Sequence, residues 1–264
     1  MNAPAPDDVI TLPTGTQLYH YKTIGSTNAE AFALHARGIA LPAWVYAENQ
    51  SDGRGRGQNV WQSLPGNLQA SYIFPTDCEM QHLSQLAFVA GLAVRDTVSA
   101  TLSVRNDQNA RISLKWPNDV LCNGEKIAGI LVQTMRPDIN APSIAVIGIG
   151  LNIASSPQGL DQRVTSLRQL FGPSADLLSP LAAIGDLDRN LSGWLVRWKK
   201  GDGWSDVRTN WIAENDFIGH RVSVKQGSST LSGVMKGLDA TGALLIETDD
   251  HVQRHVTFGD IALD

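Results

Sequence analysis

The chain reads as an α+β protein, a mixed β-sheet with helices followed by a small antiparallel β-barrel. Before residue 200, strand-length apolar runs and helix-spaced amphipathic stretches both occur, without the regular strand–helix alternation of a doubly wound sheet. From about Glu214 the texture changes to short alternating runs divided by glycine and aspartate turns, which predicts a compact barrel of roughly 50 residues. A chain of 264 residues, 42% of them hydrophobic, is long enough for one large core and a small companion. The expected divisions are a poorly ordered tail over 1–18, a main domain over 19–213 and a small domain over 214–264.

The elements follow in order. The proline-rich opening shows no periodicity, and Thr27-x-x-Glu30 predicts a capping box at the start of a short helix that stops at Gly38. Ala43 to Glu48 and Leu68 to Phe74 predict buried strands. Between them, Ser51-Asp-Gly-Arg-Gly-Arg-Gly-Gln58 fits no packed element and predicts a loop. Leu83, Leu86, Ala87, Ala90, Val94 and Val98 recur at helical spacing, and the polar run Arg105 to Arg111 closes that helix. The strand Ile112 to Trp116 ends at Pro117. Asn123-Gly124 is a two-residue hairpin signal joining Val120–Cys122 to a strand over Lys126 to Met135, and the apolar run Ile144 to Ile153 completes one sheet. Ile184, Leu187, Leu191, Trp194 and Trp198 mark a second long helix, and Val207 to Ile212 a shorter third. Barrel strands are expected at Arg221–Lys225, Leu231–Lys236, Ala243–Glu247 and Gln253–Phe258.

Charge and cysteine usage remove several classes. Twenty-one Lys and Arg against 26 Asp and Glu give a net charge of −5 and a pI near 5.6, the wrong sign for a protein that binds by neutralising nucleic-acid phosphates. Cys78 and Cys122 form no C-x-x-C pattern, which argues against a disulfide framework or zinc finger and fits a reducing compartment. With no signal-like start, and with Ser143 to Ala154 too short for a membrane span, a cytoplasmic protein without nucleic-acid or membrane partners is expected. Gly148-x-Gly150 lacks the third glycine of a dinucleotide fingerprint, and neither a phosphate-binding P-loop nor a G-x-S-x-G elbow occurs. His251 and His255 lack a third ligand and read as barrel surface rather than a metal site.

The residues left over carry the chemistry. Arg54 and Arg56 are forked cationic donors, and Gly53, Gly55 and Gly57 let the backbone approach a ligand, which suits phosphate or carboxylate. In isolation such a segment reads first as a solvated loop or a nucleic-acid tether. Lys115-Trp-Pro-Asn-Asp119 and Lys126-Ile-Ala-Gly129 are joined through the hairpin, which brings Lys126, Asn118 and Asp119 towards one end of the sheet. Singly, Trp116 is core, Asp119 a turn cap and Lys126 a solvated strand start. Together with Arg54 and Arg56 they describe a cationic pocket with one potential proton acceptor, which fits activation of a carboxylic acid by ATP.

The sequence resembles the biotin protein ligases. Four blocks occur in that family's order: Gly25-Ser-Thr-Asn28, Glu48-x-Gln50-x-x-Gly-Arg-Gly-Arg56, Lys115-Trp-Pro-Asn-Asp119 with Lys126-Ile-Ala-Gly-Ile-Leu131, and Gly148-x-Gly-x-Asn152. Lipoate ligases share the catalytic fold, but their G-G-G-x-V-x-H-D signature is absent. The resemblance implies a catalytic domain like that of the class II aminoacyl-tRNA synthetases, followed by an SH3-like barrel. It also implies a two-step reaction in which biotin and ATP give biotinyl-5′-AMP, whose acyl group passes to a lysine of a biotin carrier domain of a biotin-dependent carboxylase.

By that resemblance, Ser26, Thr27, Asn28, Gln50 and Gly53 would bind biotin together with Arg54, Arg56, Trp116, Lys126 and Gly129. Ser26, Thr27 and Gln50 would meet the ureido ring, although capping of the helix competes for both hydroxyls, and Trp116 would line the slot for the valeryl chain. ATP would fall to Arg56, Lys115, Asn118, Lys126 and Asn152, with Asn152 on the Mg²⁺ side of the nucleotide. Arg54, Arg56 and Lys126 would offset the repulsion of two anions. A free aspartate ionises near pH 3.9 (~), a poor base for a lysine amine, so Asp119 is expected to orient that amine, and Asp119→Ala to impair transfer more than adenylation.

Two departures stand out. An arginine just after the last barrel strand helps hold ATP in well-known members, whereas an acidic residue, Asp264, stands at or near that place here. Between Asn152 and Pro180 the only aromatic residue is Phe171, which leaves adenine without an evident stacking partner. Only 24 residues precede Gly25, fewer than the ~40 a domain without disulfides or metal needs, so no operator binding is expected. A ligase for another acid such as lipoate, and a non-catalytic binding module, are the alternatives; a monomer or a homodimer is compatible with the sequence.

Overall fold

A computed structural model describes all residues except 1–3, 58, 104–109, 139–140, 161 and 173–177. Gln58 of the arginine loop and most of the polar run after the second helix therefore lie outside the described residues. Eight strands form one mixed sheet: β1 (Asp8–Thr11), β2 (Gln17–Ile24), β3 (Ala43–Gln50), β4 (Leu68–Thr76), β5 (Ile112–Lys115), β6 (Asp119–Cys122), β7 (Glu125–Met135) and β8 (Ser143–Leu151). Their order is β1-β2-β3-β4-β8-β7-β6-β5, and only β2 and β3 run parallel. At the hairpin between β6 and β7, Asn123 (φ 51°) and Gly124 (φ 79°) both take the left-handed conformation that a tight turn between twisted strands requires.

The first correction falls on the tail. Asp8–Thr11 pairs with Gln17–His20 and Ile10 packs against the core, so residues 8–11 and 17–18 of the expected tail are strand residues of the sheet. A four-residue edge strand among prolines buries too little to leave a periodic signal. Helix α1 (Thr27–Ala36) also differs from expectation. Its N-cap is Ser26, whose side chain makes no capping bond, and Glu30 turns away to accept from the Tyr21 hydroxyl at 2.9 Å and to pair with Arg37. Buried in a second core cluster, Glu30 stabilises more through these partners than through the helix start.

Both faces of the sheet are covered. On one face α1 packs against Ala43, Val45, Ala47, Ile73, Ile144 and Val146. On the other, α2 (Leu86–Ser103), α4 (Pro180–Trp198) and α5 (Trp204–Ala213) cover Trp44, Tyr46, Ala70, Tyr72, Ala145 and Ile147. α4 follows its predicted stripe of Ile184, Leu187, Leu191, Trp194 and Trp198, each buried side chain contributing roughly 1.5–3 kcal/mol of transfer free energy. Asp188 interrupts this stripe as a buried carboxylate, accepting from Trp44 Nε1 at 2.9 Å and from Thr14. A short helix, α3 (Leu167–Phe171), was not legible in the sequence; Ser166 caps it.

The second sheet has five antiparallel strands, one more than expected: β9 (Arg221–Gln226), β10 (Ser229–Leu238), β11 (Leu244–Glu247), β12 (Gln253–Val256) and β13 (Asp260–Leu263), in the order β12-β11-β10-β9-β13. Among the described residues no ladder joins β12 to β13, so this SH3-like unit is an open form of the expected barrel. Val222, Val224, Met235, Leu244, Ile246 and Ile261 fill it and belong to the same core as α2 and α5. No helix among the described residues is long and apolar enough to cross a membrane.

Candidate active site

Strand β8 explains where the site lies. Its α1-facing positions run Ile144, Val146, Gly148, Gly150, apolar under the helix and then bare. Gly148-x-Gly150 is thus a strand floor and not a nucleotide loop. At Gly148 a Cβ would collide with Asn28 Oδ1, and at Gly150 with the Trp61 ring. Above this floor lies a cavity of about 690 Å³, bordered by the N-terminal start of α1, the arginine segment, β4, β6, β7, β8, the residues Pro157, Leu160, Gln162 and Val164, and the second sheet.

One end of the cavity is a neutral polar network. Gln50 Oε1 accepts from Thr27 N (2.8 Å) and Thr27 Oγ1 (3.0 Å), and Ser71 Oγ bonds Thr27 Oγ1 (2.7 Å) and Asn28 Oδ1 (2.6 Å). Asn28 Nδ2 donates to Gln133 Oε1 at 2.8 Å. The competition foreseen between capping and ligand contact is resolved locally: the Thr27 hydroxyl is held by Gln50 and Ser71, and the Ser26 hydroxyl has no capping role. Ser71, Gln133, Gln69 and Trp61 were not singled out in the sequence. Gln69 and Ser71 are polar residues at alternate positions of an apolar strand, which is the signal that could have found them, and the sheet order aims them at the α1 side.

The arginine segment is a tight hairpin. Trp61 N donates to Gly53 O at 2.9 Å, Arg54 bridges Val60, and a Cβ at Gly53 would collide with the Trp61 carbonyl oxygen. This closure lays the Trp61 indole across Gly129 and Gly150. Trp116, expected to line an apolar slot, borders the cavity but is only 2% exposed, most of its side chain packing in the core and its Nε1 donating to Gly242 O of the second sheet at 3.3 Å. It stands in the turn just after β5, and Trp61 supplies a second aromatic wall.

The other end is charged. Lys126 Nζ lies 2.7 Å from Asp119 Oδ1, with only 17% and 11% of these side chains exposed. Arg56 reaches Asn118 Oδ1 (3.3 Å), Gly259 O (3.4 Å) and Asp260 (3.8 Å), while Asn118 is pinned through Ile130 O at 2.7 Å. Arg54 pairs with Asp52 at 2.6 Å in an exposed position. Lys115 and Lys225 complete five bordering cations against two carboxylates, Asp119 and Asp260, a local excess of positive charge in a chain of net charge −5. Asn152, 3% exposed, spends Nδ2 on Thr165 O at 3.0 Å. Asp264 is turned from the cavity onto Ser223 and Arg221.

A neutral polar recess thus opens into a cationic chamber, an arrangement suited to holding a small acid beside a polyphosphate. Residues 31–152 match the model of the Biotin/lipoate A/B protein ligase family, and residues 217–264 that of the Biotin protein ligase C terminal domain. A biotin--[acetyl-CoA-carboxylase] ligase of Paracoccus denitrificans is 32% identical over 84% of this chain and 90% of its own. One of Mycobacterium tuberculosis is 33% identical over 84% of this chain and 80% of its own. The fold is shared with the biotin protein ligase from Aquifex aeolicus in complex with biotin and ATP, with a TM-score of 0.76 and 24% identity over 94% and 98% of the two chains. The chain belongs to the biotin protein ligase family.

Proposed function

We propose that the neutral recess at Ser26, Thr27 and Gln50 takes the ureido ring of biotin, and that the Lys126 ammonium meets its carboxylate where the α-phosphate of ATP arrives. As a biotin protein ligase, the enzyme activates biotin with ATP to biotinyl-5′-AMP and transfers the biotinyl group to a lysine. The proposed acceptor is the carrier domain of a biotin-dependent carboxylase, a reading supported by relatives named as ligases for acetyl-CoA carboxylase, and the proposed compartment is the cytoplasm. Residues 19–213 supply most of the site, and residues 214–264 close it from one side. The observation that carries the reading is the half-buried Lys126–Asp119 pair at the mouth of a recess rich in amides and hydroxyls.

In the first step a carboxylate oxygen attacks the α-phosphorus and pyrophosphate leaves. Lys126, Arg54 and Arg56 offset the meeting of two anions and hold the charge that grows on the phosphoryl oxygens. Asn118 orients Arg56 through its Oδ1. Lys115 and Asn152 face the nucleotide. A magnesium ion carried in on the phosphates would neutralise part of their charge. The residues fit such an ion held chiefly by ATP, since Asn152 Oδ1 has only a 3.4 Å bond from Asn67 Nδ2. Adenine lies against an aliphatic wall of Pro157, Leu160 and Val164, while Phe171 packs against the core. In the second step the carrier amine attacks the acyl carbon, the acyl–phosphate bond breaks and AMP leaves, and the proton lost by the amine passes to solvent; Asp119 orients that amine.

Lys225 on β9 borders the cavity without an ion-pair partner among the described residues. It takes the place that the chain-end acid cannot fill, as the small domain's cation on the phosphates. Lys225→Ala is expected to raise the KM for ATP about 2–5-fold, the worth of one exposed charge, more at low than at high salt. The KM for biotin stays within twofold (~). A Cβ at 150 has no room beside Trp61, so Gly150→Ala is expected to shift the indole and cut kcat/KM for biotin about 10–100-fold with the far-ultraviolet circular dichroism unchanged. The direct test of the reading is pyrophosphate exchange into ATP with biotin, lipoate or no acid. Exchange with biotin alone is expected, and silence with every acid overturns the reading.

A further inference from the structure

Gln69 is 1% exposed, borders the cavity, and has neither Oε1 nor Nε2 hydrogen-bonded. A buried amide left unpaired at both ends is costly, and it persists where something outside the chain completes it. Of the six buried polar side-chain atoms without a partner among the described residues, three lie in this cavity: both ends of Gln69 and Trp61 Nε1. The register fixes where the amide sits. Gln69 is the cross-strand neighbour of Gly150, and Ser71, on the same face one strand repeat away (about 7 Å), is bonded to Thr27 and Asn28. Gln69 therefore stands between the neutral recess and the Trp61 wall.

We infer that Gln69 is a specificity-determining residue that reads the N–H and C=O edge of the ureido ring with its own carboxamide. This rests on the proposed placement of the ring in the recess. A carboxamide offers one donor and one acceptor side by side, and a cyclic urea presents the complementary pair, so two hydrogen bonds satisfy both orphaned atoms. A carboxylate satisfies only Nε2 and sets its negative oxygen against Oε1. Gln50 cannot supply the same acceptor, because its Oε1 already accepts twice from Thr27. A dithiolane ring such as that of lipoate has neither donor nor carbonyl and leaves Gln69 unpaired, which lets this one residue discriminate within a family whose members handle both acids.

The test is calorimetric binding of biotin and of biotinol, which keeps the ureido ring and lacks the carboxylate, to the wild-type protein and to Gln69→Leu. The expected result is a Kd raised tenfold or more (~) for both ligands. The melting temperature without ligand should be unchanged or higher, because the substitution removes an unpaired buried amide. A Kd for biotin within twofold of the wild type (~) overturns the inference, as does a penalty that vanishes with biotinol, which would put Gln69 at the carboxylate. A lowered melting temperature with the same loss for both ligands assigns a structural role and also overturns it. Wild-type protein that binds neither ligand overturns the parent reading, and the inference with it.

Discussion

Lys126→Met is expected to lower biotin-dependent pyrophosphate exchange by about 10²–10³-fold, the usual loss when one donor aimed at developing charge is removed from a water-poor site. The methionine keeps the length and apolar stem of lysine, so packing against Gly129 survives while the ammonium is lost. The variant also leaves Asp119, 11% exposed, without its 2.7 Å partner. An uncompensated buried carboxylate costs about 3–5 kcal/mol in a dry interior and less at this exposure, so the melting temperature should fall as well. The two effects separate in the double variant Lys126→Met with Asp119→Asn. Removing the second charge should return most of the stability and none of the exchange activity. Exchange restored along with stability would mean that Lys126 merely neutralises Asp119.

Asp119→Ala is expected to slow transfer from preformed biotinyl-AMP to the carrier lysine by about 10²-fold, the usual loss when a reacting group is no longer held in line. Adenylation should suffer less, because Arg54 and Arg56 remain and Lys126 keeps its place on β7. Single-turnover measurements of the two half-reactions decide it, the first by pyrophosphate exchange and the second by chase of isolated biotinyl-AMP with carrier domain. Equal losses in both would confine Asp119 to holding Lys126 and remove any role towards the incoming amine.

These predictions depend on residues of unequal legibility. Lys126 and Asp119 were visible in the sequence because an Asn-Gly hairpin is a local signal that sets two short strands side by side; the register puts Asp119 opposite Gly129, three residues from Lys126 and within reach of its long side chain. Arg54 and Arg56 were legible only in context: alone the glycine–arginine segment reads as a solvated loop, and the neighbouring lysine and aspartate blocks gave it a ligand role. Trp116 borders the cavity as the motif suggested, but its burial and its bond to Gly242 depend on the small domain and could not be read locally. Trp61 carries no local pattern; its place on the floor follows from closure of the 53–61 hairpin over two glycines on distant strands.

The sequence by itself determined the element types, the mixed α+β class, the family resemblance and the cationic character of the site, since all of these depend on periodicity, turn chemistry and motifs within a few tens of residues. Only the tertiary structure decided that the first residues add an edge strand, that Glu30 serves Tyr21 and Arg37 rather than the helix start, and that Gln69 stands buried and unpaired in the cavity. Those outcomes follow from strand order. Hydrogen-bond partners and burial across the β4–β8–β7 ladder join residues separated by up to about a hundred positions, and no local interaction energy specifies such neighbours until the sheet has formed.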